Sequence, residues 1–369
     1  RVMCFDIQRE DELFKGWSDD SKAPSREMLS NGKASRYKTG PYGDGKGLDH
    51  FVNAAGGIDI IIGGPPCQAY SVAGRVRDEN GMKDDYRNYL FEHYLSVVNR
   101  YQPKVFVFEN VPGLLSAMSD GTPIIQLIES GFSSIGYEIV DDVKKYAKVD
   151  ASDYGVPQNR ERLIILGIRK DLCEDVQVIL HRFYLEILPK YKSKKKKTVA
   201  EAIGDLPKIT PIINDEELKS RIGYSKPECH TTWHRARHHS LRDVEIYRML
   251  ANDIQSGRNE YVDSKSLSDL YEEKVGAKSP IHRYHVLRAD EPSTTIISHL
   301  DRDGNRFIHY DPEQGRDITP REAARIQSFD DDFDFIGNQT DTYIMIGNAV
   351  PPLLAKCVGL AVSEVLDIL

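Results

Sequence analysis

The stretch Ile58–Ser71, which reads IDIIIGGPPCQAYS, constrains the fold more than any other part of the chain. Its β-branched apolar run, Ile58–Ile62, is typical of a fully buried strand. The next four residues, Gly-Gly-Pro-Pro, can neither continue a strand nor begin an ordinary helix. Cys67 follows at once. Ligands of open α/β sheets bind outside the carboxyl ends of the strands, so the pattern places a thiol at the edge of the sheet where active sites lie. The alternative is an inert, buried cysteine after a turn.

A second strand end supplies a partner for this thiol. Lys104–Phe108 is another buried-strand run, and Glu109 follows it. Apolar side chains at helical spacing between residues 88 and 101 predict a crossover helix, which would make the two strands parallel. If the strands are neighbours, Cys67 and Glu109 lie at the same edge of the sheet. A carboxylate raises the pKa of an adjacent thiol, so we expect Glu109 to serve the substrate as a proton donor or hydrogen-bond partner.

Five segments together resemble the motifs of the DNA (cytosine-5)-methyltransferase family, of the bacterial or phage modification type. The first two are GGPPCQAYS, around Cys67, and FENVPG, around Glu109. The other three are Gln158–Arg162 (QNRER), Thr319–Gln327 (TPREAARIQ) and Gly347–Pro352 (GNAVPP). They occur in the family's order and extend from Gly63 to Pro352, which makes the resemblance very specific.

The resemblance implies an α/β fold, a Rossmann-like S-adenosylmethionine-dependent methyltransferase domain with a smaller target-recognition domain inserted into it. We place the catalytic domain at residues 1–189 and 337–369, and the target-recognition domain at residues 190–336. Sequence patterns predict further local structure. The predicted elements are strands at residues 137–146 and 163–168, a hairpin within 284–307, a capping box at 319–322 and a final helix over 351–369.

The activity that the resemblance implies is transfer of a methyl group from S-adenosylmethionine to carbon 5 of cytosine in a specific duplex DNA sequence. Cys67, as thiolate, would add to carbon 6 of the ring. Glu109 would hydrogen-bond or protonate ring N3. Arg162, together with Arg160, would donate to the ring O2 and to the phosphate of the target nucleotide. A base inside the stack cannot be reached from both faces, so the cytosine must be flipped out.

Four residues match family positions that line the methyl donor, and no metal is implied. They are Pro66, Leu90, Asn348 and Ala349. Packing in the core is an equally good interpretation of Leu90. The family's glycine-rich methyl-donor loop, roughly DLFxGxGG, is missing upstream of Gly63. We expect the chain to be an N-terminally truncated piece of a longer protein rather than one whose loop has diverged.

Two basic stretches favour contact with DNA, although the net charge of −8 by itself does not. Residues 181–197 end in four lysines, and residues 230–242 read HTTWHRARHHSLR. One basic face matters more for nucleic-acid binding than the total charge. Cys229 and the nearby histidines could instead ligate zinc, but no second ligand pair of zinc-finger spacing accompanies them. A surface that contacts phosphates and bases is the better interpretation.

Composition points to a cytoplasmic protein, and the resemblance implies a bacterial or phage-infected cell. The five cysteines are odd in number and scattered, without a CxxC pair, which is typical of a reducing compartment. No secretory signal opens the chain and no run of eighteen apolar residues occurs, so we expect a soluble protein that does not bind a membrane. The resemblance also implies a monomer with a possible cognate restriction endonuclease.

Two other classes of function stay open. The first is a catalytically incomplete DNA-binding fragment or homologue, because the methyl-donor loop is missing. Against it, Cys67, Glu109 and both arginines are present. The second is an unrelated enzyme with a cysteine nucleophile that acts on RNA or a small molecule, which the five motifs disfavour.

Residues 1–369 alone should bind S-adenosylmethionine weakly or not at all. A glycine-rich turn and a following acidic residue normally provide several hydrogen bonds to such a ligand, each worth roughly 0.5–1.5 kcal/mol. Loss of three such hydrogen bonds raises the dissociation constant by about ten- to a thousandfold. Calorimetry on the isolated chain measures this affinity. Low-micromolar binding would show that the donor loop is present in the first 57 residues in a diverged form.

Overall fold

The structure is a computed structural model that describes residues 7, 10–16, 46–65, 90–119, 121–213, 222–276, 284–302 and 304–369. The chain divides into two compact units. Unit 1 comprises Arg1–Val149, Glu161–Pro189 and Val362–Leu369. Unit 2 comprises Asp150–Arg160 and Lys190–Ala361.

The described residues form strands and helices in the following order. The strands are β1 (Ile60–Gly63), β2 (Val105–Asn110), β3 (Met118–Ser119), β4 (Thr122–Pro123), β5 (Tyr137–Ile139), β6 (Lys148–Asp150), β7 (Glu161–Arg169), β8 (Pro211–Ile212) and β9 (Gly223–Tyr224). The α-helices are α1 (Glu10–Lys15), α2 (Leu48–Ala54), α3 (Leu90–Tyr101), α4 (Ile124–Ser134), α5 (Val143–Tyr146), α6 (Val176–Arg182), α7 (Val199–Ile203), α8 (Leu241–Gln255), α9 (Ser264–Val275), α10 (Pro320–Ile326), α11 (Gln339–Asn348) and α12 (Pro352–Ile368). A π-helical turn, Phe183–Ile187, continues α6.

Unit 1 is built on a mixed sheet in the order β1-β2-β7-β5, with β6 also paired to β7. Strand β1 runs parallel to β2, whereas β7 is antiparallel to β2 and β5. The apolar runs Val105–Phe108 and Leu163–Leu166 are at most 2% exposed. Such continuous burial is what a strand covered on both faces requires, and it explains why neither run alternates with polar residues.

Helices α3 and α4 cover the sheet of unit 1 with aromatic side chains. Phe132 of α4 stacks on Phe106 of β2, with ring centroids 4.0 Å apart. Tyr94 of α3 is 5% exposed, and its hydroxyl donates to the carbonyl oxygens of Ile61 and Val107. The buried hydroxyl therefore has acceptors on both β1 and β2 and fixes the helix over the parallel pair.

Unit 2 is mainly helical and has several small cores. The largest joins α7, α10 and α11 through buried residues such as Ile203, Ala324 and Tyr343. A second joins α8 and α9 through residues such as Tyr247 and Leu267. Capping boxes at Thr198, Thr319 and Asn338 begin α7, α10 and α11, since each side chain accepts from the N3 backbone amide.

A buried group of charges lies at the start of α10. Arg316 and Glu322 are 0% and 1% exposed and form two hydrogen bonds of 2.7 Å. Nε2 of His309 lies 3.5 Å from a Glu322 oxygen, and its Nδ1 accepts from the Asp311 amide. Burial lowers the pKa of His309 to about 4, an effect that the Glu322 carboxylate only partly offsets. The histidine is therefore neutral in the folded protein near pH 7.

Several of the predicted elements are confirmed. The parallel pair β1 and β2, the crossover helix α3, the strand β7, the capping box at Thr319 and the final helix α12 all form. The predicted α/β class is confirmed as well, since helices cover a mixed sheet.

Two predicted elements are wrong. The strand at residues 137–146 ends at Ile139, because Asp142 accepts a hydrogen bond from the Lys145 amide and begins α5. The hairpin within residues 284–307 does not form in the described part of that segment. There, Val286 pairs with Ile308 in a parallel bridge, and a 3₁₀ turn occupies Gly304–Arg306. In the described part of the segment, the two β-rich runs do not pair with each other.

The unit boundaries agree with the predicted domain boundary at residue 189/190 and differ at two other places. Residues 150–160 and 337–361 belong to unit 2, whereas the domain boundaries predicted from the sequence place both segments in the catalytic domain. Hydrogen bonds explain the difference, because Arg160 donates to the carbonyl oxygens of Ile296, Gly347 and Ala349. The functional division into catalytic and target-recognition domains stays a prediction.

One helical stretch of the described chain, Gln339–Ile368, is long and apolar enough to cross a membrane by length and composition. It comprises α11 and α12, which are separate helices on either side of Pro351. In α12, Leu354, Val358 and Val365 are at most 6% exposed. A core helix of a folded domain meets the same criterion, so the stretch is weak evidence for a membrane span.

The stability of unit 2 should depend on pH through His309. Its folded pKa of about 4 lies below the ordinary 6.5. Only the unfolded chain therefore takes up this proton as pH falls from about 6.5 to 4. Stability that is complete above about pH 6.5 should decline by roughly 3 kcal/mol at pH 4.

Urea unfolding of wild type and His309→Asn at pH 8, 6, 5 and 4 measures this effect. Asparagine retains an acceptor near Nδ1 but does not titrate, so the variant should be less stable at pH 8 and lose less stability on acidification. Equal pH dependence of the two proteins would contradict the assignment.

Candidate active site

The register between β2 and β7 brings together two of the residues predicted to carry the chemistry. Glu109 lies opposite Ile164 in the antiparallel pair. Side chains two residues apart on a strand share a face, so Arg162 is on the same face as Ile164 and reaches Glu109 diagonally. The Arg162 Nε atom lies 3.0 Å from Glu109 Oε1. Two residues 53 positions apart in sequence thus form one acid–cation pair.

This pair is largely shielded from water. The Arg162 and Glu109 side chains are 13% and 19% exposed. Burial lowers the pKa of the Arg162 guanidinium, and the Glu109 carboxylate opposes that shift. Arg162 also donates from Nη1 to the Glu161 carbonyl oxygen at 2.7 Å. The guanidinium is thereby held at the start of β7 with its charge directed at the carboxylate.

Gly64 brings the end of β1 against the same carboxylate. A Cβ atom at position 64 would lie 2.7 Å from Glu109 Oε2. No side chain larger than hydrogen fits there without a shift, which accounts for the second glycine of the Gly-Gly-Pro-Pro turn. The backbone that leads toward Cys67 therefore passes directly beside Glu109, as the predicted parallel pairing requires.

Two predicted site residues, Cys67 and Pro66, lie outside the described residues. The last described residue before them is Pro65, whose carbonyl oxygen is 3.5 Å from Asn110 Nδ2. Asn110 is 3% exposed and follows Glu109 at the end of β2. The position of the thiol relative to Glu109 accordingly stays a prediction that rests on the approach of Gly64 and Pro65.

Arg160 does not lie where the sequence analysis placed it. We expected it to act with Arg162 on the nucleotide, because residues two apart on an extended chain point the same way. Arg160 is instead 2% exposed within unit 2, and its two terminal nitrogens donate to three carbonyl oxygens at 2.7–3.2 Å. Contact with a nucleotide would break these bonds, so the structure makes Arg160 a residue that holds the fold together.

The sequence analysis missed the network to which Arg160 belongs. Gln158 is fully buried and donates to Gln327 Oε1 at 2.5 Å, while its own oxygen accepts from the Ile296 amide. Gln327 in turn donates to the carbonyl oxygens of Ile346 and Ala349. Three of the five motifs therefore meet through glutamine amides. Polar motif residues beside apolar runs were the available signal, since buried amides need partners.

A family model for C-5 cytosine-specific DNA methylases matches residues 34–364. This range contains both the Glu109–Arg162 pair and the network of Gln158, Arg160 and Gln327. The chain belongs to the C-5 cytosine-specific DNA methylase family. It is an enzyme, a DNA (cytosine-5-)-methyltransferase.

Known proteins resemble this methylase over most of its length. The Type II methyltransferase M.Bpa9945I of Bacillus paralicheniformis is 35% identical over 84% of the chain and 71% of its own length. The Type II methyltransferase M1.HphI of Haemophilus parahaemolyticus is 33% identical over 83% and 68%. A solved structure from E. coli, described as a DNA modification methyltransferase encoded within a prophage, is 25% identical, with a TM-score of 0.53 over 87% and 82% of the two chains.

The residues predicted to line the methyl donor fit that role only in part. Asn348 is exposed at the end of α11, and its amide makes no side-chain hydrogen bond to another described residue. Ala349 is half-buried, and its carbonyl oxygen already accepts from Arg160 and Gln327. Leu90 is only 7% exposed, which favours the core-packing interpretation. This set of described donors and acceptors does not by itself fit a charged nucleoside, so no step of the methylase reaction is derived through the cofactor.

The basic stretches of the methylase are more ordered than their composition indicates. Residues 181–191 form the end of α6, the π-helical turn and a 3₁₀ turn, and the lysines that follow are exposed. Lys195 pairs with Glu201 and Lys196 with Asp150 and Asp153. His234 lies within hydrogen-bonding distance of Thr319 and the Pro207 carbonyl oxygen. No cluster of three or more metal-ligating side chains occurs among the described residues.

Gly64→Ala should reduce methyl transfer at least tenfold with little loss of stability. The added Cβ would displace the Glu109 carboxylate, from which it would lie 2.7 Å, and would disturb its pairing with Arg162. Methyl transfer to DNA with excess methyl donor and thermal unfolding measure the two effects. Gly359→Ala is the matched control, because a Cβ there meets nothing within 4 Å and α12 gains a better helix former. Equal activity of both variants would show that the contact at residue 64 is unimportant.

Proposed function

We propose that this chain methylates carbon 5 of cytosine in one specific duplex DNA sequence, by flipping out the target base and using Cys67 as a covalent nucleophile. The observation that carries the proposal is the Glu109–Arg162 pair with the Gly64 backbone against it. An acid–cation pair beside the segment that leads to a cysteine is what addition to a cytosine ring requires. S-adenosylmethionine, which the family implies, supplies an electrophilic methyl group when bound.

The nucleophile has to break the aromatic character of the ring before carbon 5 can react. The Cys67 thiolate forms a bond to carbon 6, and the electrons of the C5=C6 bond shift to C4–C5. The electrons of the C4=N3 bond then move onto N3, which takes a proton. Carbon 5 thereby becomes nucleophilic. Once carbon 5 carries a new substituent, loss of its proton re-forms the C5=C6 bond and expels the cysteine, and loss of the N3 proton restores the neutral ring.

Glu109 is the group that we assign to N3. In the ion pair Glu109 is a carboxylate, so it has to take up a proton from solvent when the cytosine binds. That proton then moves to N3 as negative charge develops on the ring nitrogen, so the charge does not accumulate. The Arg162 guanidinium, 3.0 Å from Oε1, stabilises the carboxylate left behind. Its remaining N–H groups are available to the ring O2. Arg160 does not share this role, because its terminal nitrogens already donate to carbonyl oxygens within unit 2.

Base flipping follows from the shielding of the site. Glu109 and Arg162 are 19% and 13% exposed, and a paired cytosine within the stack could not reach them. The nucleotide therefore has to leave the duplex. We assign recognition of the surrounding sequence to unit 2, which comprises most of the predicted target-recognition domain and the basic stretch at residues 230–242.

Relatives that are named Type II methyltransferases support a role in a restriction–modification system. In such a system the methylase protects host DNA against a cognate endonuclease of the same specificity. We propose that the chain acts there as a monomer in the bacterial cytoplasm. The scattered cysteines agree with a reducing compartment.

Cys67→Ser should abolish the reaction and leave DNA binding intact. Addition to carbon 6 lets the hydrogen on carbon 5 exchange with solvent. The enzyme should therefore release tritium from DNA that contains [5-³H]cytosine, even without a methyl donor. Serine is a much weaker nucleophile, and release should fall at least a thousandfold. The control is Cys173→Ser, which changes a half-buried cysteine next to α6 and should keep full activity. Tritium release that survives in Cys67→Ser would exclude this nucleophile.

A further inference from the structure

A cleft of about 910 Å³ in unit 2 is lined by an excess of positive charge. Five basic side chains line it, against two carboxylates, Asp243 and Asp301. The basic residues are Lys226, Arg235, Arg237, Arg242 and Arg302. We call this the basic cleft. The N-terminus of the 15-residue helix α8 also borders it, through Ser240 and Asp243, and adds the positive end of a helix dipole.

The floor of the basic cleft is a fixed ionic network. Asp317 is 1% exposed, accepts a hydrogen bond from Arg237 and lies 3.1 Å from His239 Nε2. Burial opposes ionisation of Asp317, but the Arg237 guanidinium together with the nearby His239 lowers the pKa of its carboxyl to about 2. Arg237 also donates to the Asp301 carbonyl oxygen. Its charge is therefore used within the protein, which leaves the other four basic residues for a ligand.

Three of those four have no acidic partner. Among the residues that the structure describes, no carboxylate forms an ion pair with Lys226, Arg235 or Arg302, and all three are exposed. Within the described ranges, the carboxylate that pairs with Arg242 is that of its neighbour Asp243, at 3.4 Å. A cleft whose exposed cations are unpaired is suited to a polyanion such as DNA.

Arg235 differs from Lys226, Arg242 and Arg302 because its guanidinium stacks on a described aromatic ring. Its guanidinium carbon lies 4.7 Å above the centre of the Trp233 ring. Trp233 has φ = +67°, a left-handed conformation that a bulky residue adopts only when its surroundings enforce it. Three hydrogen bonds do so, from the Trp233 indole to the Phe335 carbonyl oxygen and from the amides of Arg235 and Arg321 to the Trp233 carbonyl oxygen.

We propose that Arg235 is a specificity-determining residue that reads a guanine in the major groove of the DNA held in the basic cleft. The strained turn at Trp233 and the stacked guanidinium present two parallel N–H groups in one direction, which matches O6 and N7 of guanine. A flexible, unstacked cation such as Lys226 or Arg302 suits phosphates, which carry no sequence information. This inference rests on the proposed function, since it names part of the recognition site of the same enzyme.

Selection of bound duplexes from a randomised pool, followed by sequencing, tests the proposal on the full chain. Wild type should enrich one motif. In Arg235→Lys, which retains the charge but loses the bidentate fork, discrimination at one G·C position of that motif should fall roughly ten- to hundredfold, and the other positions should be unchanged. Arg235→Ala should show the same relaxation with weaker binding.

Two further variants separate base reading from charge and folding effects. Arg302→Ala should weaken binding to every sequence alike and reduce the slope of log affinity against log salt by about one. Arg258→Lys changes an exposed arginine outside the cleft and should leave motif and affinity unchanged. Equal thermal unfolding of all variants excludes loss of the fold.

Each outcome decides between the two proposals. An unchanged motif in both Arg235 variants, or a wild type that binds DNA without any preference, overturns the role of Arg235. Relaxation at a position that is not G·C overturns the guanine assignment. If the motif relaxes as expected but no cytosine is methylated or exchanged, the role of Arg235 stands and the proposed catalytic function fails.

Discussion

The antiparallel pairing of β2 with β7 is the constraint on which the active site depends. It places Glu109 opposite Ile164 and therefore brings Arg162 within 3.0 Å of the carboxylate. The surrounding strand residues are at most 2% exposed, so a slip of one residue would exchange the side chains of two packed faces and would move Arg162 to the face opposite Glu109. The same packing that stabilises unit 1 thus fixes the geometry of the acid–cation pair.

The second constraint lies in unit 2, where buried polar groups are bound to one another. Arg160 and Gln327 donate to carbonyl oxygens of the turn at Ile346–Ala349, and Gln158 donates to Gln327. Gly347 allows the backbone at Ser298 to approach, because a Cβ there would lie 2.3 Å from the Ser298 amide nitrogen. Removal of one partner from such a network leaves a buried donor or acceptor unsatisfied, which costs about 1–3 kcal/mol. Motif residues of this kind maintain the fold on which recognition and catalysis are built.

The sequence predicts the sheet of unit 1 and the two residues of the acid–cation pair, though not their contact, better than it predicts unit 2. Apolar runs such as Val105–Phe108 predict buried strands, and the spacing of Thr319 and Glu322 predicts the cap of α10. The role of Arg160 was not predictable, because alternation along a strand assumes that the chain stays extended across residues 158–162. Likewise, the left-handed Trp233 is enforced by residues some hundred positions away, such as Phe335, and no local pattern indicates it.

Peptide mapping of a trapped complex tests the central claim most directly. With the methyl donor present, DNA that contains 5-fluorocytosine at the target position cannot release fluorine as it would a proton, so the covalent intermediate accumulates. Mass spectrometry of the digested complex should locate the nucleotide on the peptide that contains Cys67. An adduct on Cys173, Cys229 or Cys357, or methylation of ordinary DNA without any adduct, would contradict the account.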